Sequence, residues 1–302
     1  MCQLFALSCN VPSAVTFSFT GFSARGGRTA EHGDGFGLAF HDGADCRHFI
    51  DAGRASDSAL AEFLRQHPIR ARTVLAHIRK ATQGAVQPAN SHPFVREWQG
   101  RTWSFCHNGD LKDFHPRLTG SVMPVGSTDS ERAFCWMLQE LRRRFRGRRT
   151  LGWAQLAPEI AELSDRIARH GNFNFLLCDG EALYVRASTR LHRVERSHPF
   201  STAQLVDDDL TLDLASANGV DDRMVLIATE PLTRNEDWVA FQPGEMQVFV
   251  AGRPVWRSAP QSAAAPEADF TAGMAPPFPA VGLAAVAAQG RSAFDRSLSQ
   301  RA

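Results

Sequence analysis

The second residue of the chain is a cysteine, and it opens the apolar run CQLFALS. Cysteine is small enough to permit cleavage of the initiator methionine, and removal of Met1 would leave Cys2 with a free α-amino group beside its thiol. Such an amine titrates at about 7.7–8.0, close enough to neutrality to take up and return a proton. One residue would then supply both nucleophile and base, as in N-terminal threonine enzymes. The same residue also suits a second reading, a small apolar thiol buried at the start of a strand.

Three further stretches carry groups that could serve such a nucleophile. HNGDL places Asn108 and Gly109 at the end of an apolar run, where a side-chain amide and an adjacent backbone N–H could receive an oxyanion. Asn-Gly is equally a favoured tight turn. Cys106 and His107 precede it, but no second Cys or His stands at ligand spacing, so no metal site is expected. LAHIRKATQG ends a strand at Arg79, whose planar fork suits a carboxylate. In GSTDSERAF, Thr128 and Glu131 have the spacing of a capping box, which leaves Asp129 in a helical first turn, able to receive an ammonium group.

These residues need elements to hold them. CQLFALS, GFGLAFHD, CRHFIDA, TVLAHIR and TWSFCHN read as strands. SDSALAEFLRQH and TDSERAFCWMLQELRRR carry apolar residues at helical spacing behind polar starts. A third helix spans LGWAQLAPEIAELSDRIARHG, with Pro158 expected to interrupt it or to start a second segment. Strands then resume with FNFLLCD and ALYVRAS, joined by an Asp179-Gly180 hairpin turn, and with RMVLIATEPL and EMQVFVAG. Strands, helices and strands in that order, without regular alternation, predict an α+β fold of two mainly antiparallel sheets with helices outside. From about residue 258 the chain becomes rich in Ala and Pro and loses its period, so 2–257 is expected to be the folded domain and 258–302 a disordered tail.

Composition excludes several classes. Of 302 residues, 43% are apolar and 22% charged, an ordinary globular balance. With 33 Lys+Arg against 32 Asp+Glu, the global field does not recruit nucleic acid. The one basic cluster, LRRRFRGRRT, lacks interleaved aromatics and reads as a solvated helix end. No apolar run is long enough for a membrane helix, and no basic segment precedes an apolar one at the start, so neither membrane nor secretory signal is expected. Six cysteines without CxxC pairs suggest reduced thiols and a cytoplasmic protein.

The ordered set Cys2, HIRKATQG, NSHPF, HNGDL and STDSE resembles the class II glutamine amidotransferases, whose glutaminase domains are N-terminal nucleophile (Ntn) hydrolases. It is similar in particular to their stand-alone group, which begins MC and carries a DGxG segment, here HGDGFGLAF. GNFNFLLCDGEALYVRA, VLIATEPLT and WVAFQPGE extend the likeness to roughly residues 2–252. The resemblance implies a four-layer αββα sandwich. It also implies that Cys2 attacks the γ-amide carbon of glutamine or a γ-glutamyl compound and forms a thioester. Asn108 and Gly109 would then hold the oxyanion, Arg79 with Thr82 the α-carboxylate, and Asp129 the α-ammonium. No cofactor is implied. Lys80 and Gln83 depart from the larger amidotransferases, where an aromatic residue and a histidine are frequent. The short remainder after the domain leaves no room for a synthase, so a separate ammonia-accepting synthase could be the partner. Two alternatives are hydrolysis of a γ-glutamyl intermediate of thiol-histidine biosynthesis and a catalytically silent ligand-sensing protein.

Overall fold

The structure is a computed structural model that describes residues 2–258, so all but the first residue of the expected tail lies outside the described residues. In chain order the first half contains β1 (Gln3–Ala14), α1 (Thr16–Ala24), β2 (Phe36–Asp42), β3 (Asp45–Asp51), α2 (Ala59–Gln66), β4 (Arg70–Ile78), β5 (Phe94–Trp98), β6 (Arg101–Asn108), α3 (Asp129–Arg144) and α4 (Trp153–Ala168). The second half adds β7 (Asn174–Cys178), β8 (Leu183–Arg186), β9 (His192–Ser197), β10 (Thr202–Gln204), β11 (Thr211–Asp213), α5 (Leu214–Ala217), β12 (Arg223–Ala228), β13 (Val239–Ala240), β14 (Met246–Val250) and β15 (Arg253–Arg257).

Two antiparallel sheets dominate. One has the order β13-β9-β12-β1-β4-β2-β3, the other β15-β14-β8-β7-β6-β5. Successive side chains of a strand point to opposite faces, and β1 uses both. Leu4 and Ala6 enter the core between the sheets with Leu75, Leu176, Val185, Ile227 and Phe249. Phe5 and Leu7 face the other way, against Phe19 and Phe22 of α1 and Leu64 of α2. Beyond the second sheet, Phe105, Phe175 and Leu177 pack on Phe134, Leu138 and Leu141 of α3 and Ile160 and Leu163 of α4. The result is four layers, helices outside and two sheets within, as the sequence leads one to expect. The central strands are buried on both faces, which accounts for continuous apolar runs where an exposed sheet would alternate.

Three local features differ from the sequence reading. Thr16–Ala24 is a helix that goes unread because its residues are aromatic, β-branched or small and six of the nine are buried, leaving no polar face to reveal a period. Pro158 neither interrupts α4 nor starts a second segment: the helix runs from Trp153 through Ala168 with Pro158 inside it. That proline is exposed, so the carbonyl left without an amide partner can meet water. Thr128 does cap α3, its Oγ1 accepting the Glu131 N–H at 3.2 Å, but the Glu131 carboxylate takes the N–H groups of Val125 and Gly126 instead of closing the box. The Asp179-Gly180 hairpin forms between β7 and β8, and the Asp179 carboxylate accepts the N–H groups of Glu181 and Ala182.

The arginine cluster after α3 behaves as a helix end. Arg144 pairs with Glu159 and Glu162 of α4, and Arg142 donates to the carbonyls of Ser121 and Glu97. No helix among the described residues is long and apolar enough to cross a membrane.

Phe105 stacks on Phe134 with ring centroids 5.1 Å apart and is fully buried between the second sheet and α3. Phe105→Ala is expected to lower the unfolding free energy by about 3–5 kcal/mol, the usual loss for a buried phenylalanine. A denaturant titration with the slope held in common would check it.

Candidate active site

The register of β1 and β4 pairs Gln3 with Ile78, which sets Cys2 against the chain that follows β4. There the Lys80 N–H donates to the Cys2 Sγ at 3.3 Å, and the thiol reaches the Lys80 carbonyl at 3.4 Å. From the other sheet, Asn108 at the end of β6 donates its Nδ2 to the Cys2 carbonyl at 2.7 Å. Asn108 is itself held: its carbonyl accepts the Asn174 Nδ2 at 2.8 Å, and the Asn174 Oδ1 takes the N–H groups of Ser188 and Thr189. A further bond ties the sheets together at this end, from His77 on β4 to the His107 carbonyl on β6 at 3.1 Å.

Neither Asn108 nor Gly109 has the positive φ of a tight hairpin turn. Asn108 completes a strand paired with Asn174, and Gly109 passes so close to the Asn172 carbonyl that an added Cβ would lie 1.8 Å from its oxygen. Glycine is required here by close approach of backbone to backbone. The turn reading of Asn-Gly therefore gives way to a strand end aimed at Cys2.

Asp129 is the first residue of α3, and its carboxylate accepts the Leu111 N–H at 2.8 Å and the Ser130 N–H at 2.8 Å. It thus fixes the loop after Gly109 as well as the helix start. Arg79 is 3% exposed, and its fork donates to the carbonyls of Ala85, Gln83 and Gly84 at 2.7–3.0 Å. A guanidinium carries five N–H donors, more than these three bonds use. Thr82 is exposed on the loop that Arg79 holds, and Gln83 bonds Asp110 across to the Gly109 side at 2.6 Å.

The electrostatics join these groups. Burial pushes the Cys2 thiol above its ordinary value, the Lys80 hydrogen bond, the terminal ammonium and the Arg79 charge pull it down, and Asp129 pushes it up. Structure therefore brings Cys2, Lys80 and Asn108 into direct contact, sets Gly109 beside them, and puts Arg79 and Asp129 within range of the thiol's charge. Thr82 is the expected site residue that stands out on an exposed loop. Sequence reading overlooks Lys80 as a backbone partner and Asn174 as the support of Asn108. The only signal for Asn174 is a lone amide at the head of the apolar strand NFLLC. Among the described residues no three His, Cys, Asp or Glu side chains converge as metal ligands.

Behind Asn108 lies a layer of buried histidines. His107 bonds the Ser130 Oγ at 2.8 Å and the Asn172 carbonyl at 3.0 Å, while His77 and His92 lie 4.2 Å apart between ring centroids. Burial, and then the nearby His107, pushes His77 down to about 3. Burial also holds His92 and His107 below the usual range, and it lowers His41, between the sheets, to about 4. Each is neutral when folded and takes up a proton when unfolded near its ordinary value of about 6.5. Below that pH the unfolded chain binds more protons, so stability must fall as pH falls.

Comparisons with known proteins identify the family and the fold. The family model described as class II glutamine amidotransferases matches residues 1–272. The YafJ protein of Escherichia coli K12, which carries a glutamine amidotransferase name, is 43% identical over 256 residues, covering 84% of this chain and all of that protein. A protein of similar name from Haemophilus influenzae is 42% identical over 84% of this chain and 86% of its own. Among solved structures, a predicted glutamine amidotransferase from Pseudomonas aeruginosa superposes with a TM-score of 0.68 at 38% identity, covering 84% of this chain and all of that one. The fold is that of an Ntn-type glutamine amidotransferase. The chain belongs to the class II glutamine amidotransferases. The glutamine phosphoribosylpyrophosphate amidotransferase of Bacillus subtilis shares the fold at 15% identity and a TM-score of 0.55, with this chain covering 49% of it.

The histidine layer yields a measurable consequence. The denaturant midpoint should be flat above about pH 7 and fall steadily from pH 6.5 to 4.5, each buried neutral histidine adding up to about 1.4 kcal/mol per pH unit. A midpoint independent of pH over that window would contradict the neutral assignment of His77 and His41.

Proposed function

We propose that the domain at residues 2–257 is a glutaminase that hydrolyses the γ-amide of glutamine or of a γ-glutamyl compound through a thioester on Cys2. The observation that carries this reading is the convergence on Cys2 of hydrogen bonds from both sheets: Lys80 on the sulfur and Asn108 on the carbonyl. A fixed nucleophile with a fixed amide beside it is what nucleophilic attack on a carboxamide demands.

The steps follow from the groups present once Met1 is removed. The Cys2 Sγ adds to the γ-carbonyl carbon while the α-amino group takes the thiol proton. Asn108 Oδ1, buried without a donor among the described residues, is an acceptor for that amine. The carbonyl oxygen becomes an oxyanion received by the Asn108 amide and the Gly109 N–H. Collapse of the adduct breaks the C–N bond, the amine's proton goes to the leaving nitrogen, and ammonia or an amine departs. Water then attacks the thioester, releases glutamate and restores the thiol.

The zwitterionic head of the substrate calls for one fixed cation and one fixed anion. Arg79 and Asp129 have those charges, and both act on the Cys2 thiol. Arg79 would reach the α-carboxylate with the donors its loop contacts leave over, assisted by Thr82, and Asp129 would take the α-ammonium. The larger amidotransferases hand ammonia to a synthase; for this chain a separate partner would play that part.

Intact-mass measurement should find Met1 removed, and Cys2→Ala should abolish glutamate release across glutamine and γ-glutamyl amines. Equal release by wild type and Cys2→Ala, or a retained Met1, overturns the reading. Asn108→Ala should lower kcat roughly a hundredfold to a thousandfold, the usual cost of an oxyanion donor, with a smaller change in KM.

A further inference from the structure

The DGxG segment HGDGFGLAF contributes no group to the chemistry above, yet it borders the nucleophile. Phe36 of β2 pairs with Ile78 of β4, and the ladder runs on past both strands. The Arg79 N–H donates to the Gly35 carbonyl at 2.8 Å, and the Asp34 N–H donates to the Arg79 carbonyl at 3.2 Å. The next donor, the Ala81 N–H, meets the Asp34 Oδ2 at 2.7 Å. Gly35 makes the approach possible: its φ is +115°, and a Cβ there would lie 2.6 Å from the Ser91 Oγ.

A peptide group is planar and trans, so holding one end aims the other the opposite way. The Arg79 carbonyl shares its peptide group with the Lys80 N–H, and the Ala81 N–H shares its own with the Lys80 carbonyl. Asp34 grips both, one with its backbone and one with its carboxylate. The two free ends are the groups that meet the Cys2 Sγ, at 3.3 and 3.4 Å.

We propose that Asp34 is the positioning residue of the nucleophile, fixing the two peptide groups of Lys80 so that both the N–H and the carbonyl face the Cys2 sulfur. The inference rests on the reading of Cys2 as the reactive thiol. The carboxylate controls the carbonyl half. Without it the peptide between Lys80 and Ala81 is free to flip, taking the acceptor off the S–H and turning the Ala81 N–H toward the sulfur. A hydrogen bond to the neutral form opposes ionisation, and one to the anion favours it. Asp34 thus keeps Cys2 a directed thiol between turnovers. The charges that face the sulfur are the terminal amino group, Arg79 after β4 and Asp129 on α3, with the exposed Lys80–Glu31 pair at 3.6 Å nearby.

The test is the pH profile of Cys2 alkylation by iodoacetamide on the full chain, read by mass spectrometry of the N-terminal peptide. The midpoint is compared, since easier access would raise the rate at every pH. Asp34→Ala should shift the midpoint down by about one unit, a roughly tenfold faster reaction at pH 7. Asp34→Asn keeps an acceptor for Ala81 and should overlay wild type. An unshifted Asp34→Ala overturns the proposal. So does an equal shift in Asp34→Asn, which would make the charge alone responsible. Should Asp34→Ala not fold, Asp34→Ser, whose hydroxyl stops short of Ala81, should show the same downward shift, and an unshifted midpoint there overturns the proposal equally. Glutamate release measured on the same samples separates the two readings: its absence in wild type, with the alkylation shift intact, defeats the glutaminase and leaves the positioning role standing.

Discussion

The site depends on β1 being hydrogen-bonded on both sides while burying both faces. β4 and β12 flank it, Leu4 and Ala6 enter the core between the sheets, and Phe5 and Leu7 enter the core under the helices. A strand so held cannot slip by one residue without turning every apolar side chain to the wrong layer. Cys2, the residue that enters this strand, is placed by it and by its own bonds to Lys80 and Asn108, at a partly exposed edge. That combination, a fixed backbone with an accessible end, is what the proposed nucleophile requires. It also explains why the second sheet matters: Asn108 reaches Cys2 only because the core between the sheets sets β6 over β1.

Much of this was legible in the residues. The central strands announce themselves as apolar runs bounded by Gly, Asn and Asp, α2 and α3 by apolar spacing behind capping residues, and α4 by apolar spacing ahead of Gly171. Cys2, Asn108, Gly109, Arg79 and Asp129 could be chosen by what their groups can do. What stayed hidden is non-local. Asn108 and Cys2 are 106 residues apart, and Lys80 and Cys2 are 78 apart; no local spacing encodes either bond. The fork of Arg79 could be read as a carboxylate holder, but that it also gathers three carbonyls of its own loop depends on how residues 83–85 fold back. α1 was invisible for the opposite reason, since burial on nearly all sides removes the polar face by which a helix is recognised.

Glycines and asparagines mark the same lesson. Asn-Gly at 108–109 and Asp-Gly at 179–180 look alike as dipeptides, yet the second is a hairpin turn and the first is a strand end pressed on the Asn172 carbonyl. The difference lies in what each faces. Asp179 uses its carboxylate to cap its own turn, whereas the Asn108 amide looks outward, to a strand of the other sheet. A turn side chain satisfied locally has no group to spare for chemistry.

The charge environment follows from the same economy of groups. The histidines packed behind Asn108 are neutral, so the buried layer adds polar groups without adding charge. The charges felt by the thiol are the terminal ammonium and Arg79, which favour its ionised form, and Asp129, which opposes it. Beside these charges act fixed dipoles, the two peptide groups at Lys80 and the Asn108 amide. Dipoles act through orientation, which is set by backbone pairing and by the short side chains that end it. A site of this kind is built by aiming peptide groups, and it is accordingly the neighbours of the reacting residues, more than additional ionised side chains, that decide how it behaves.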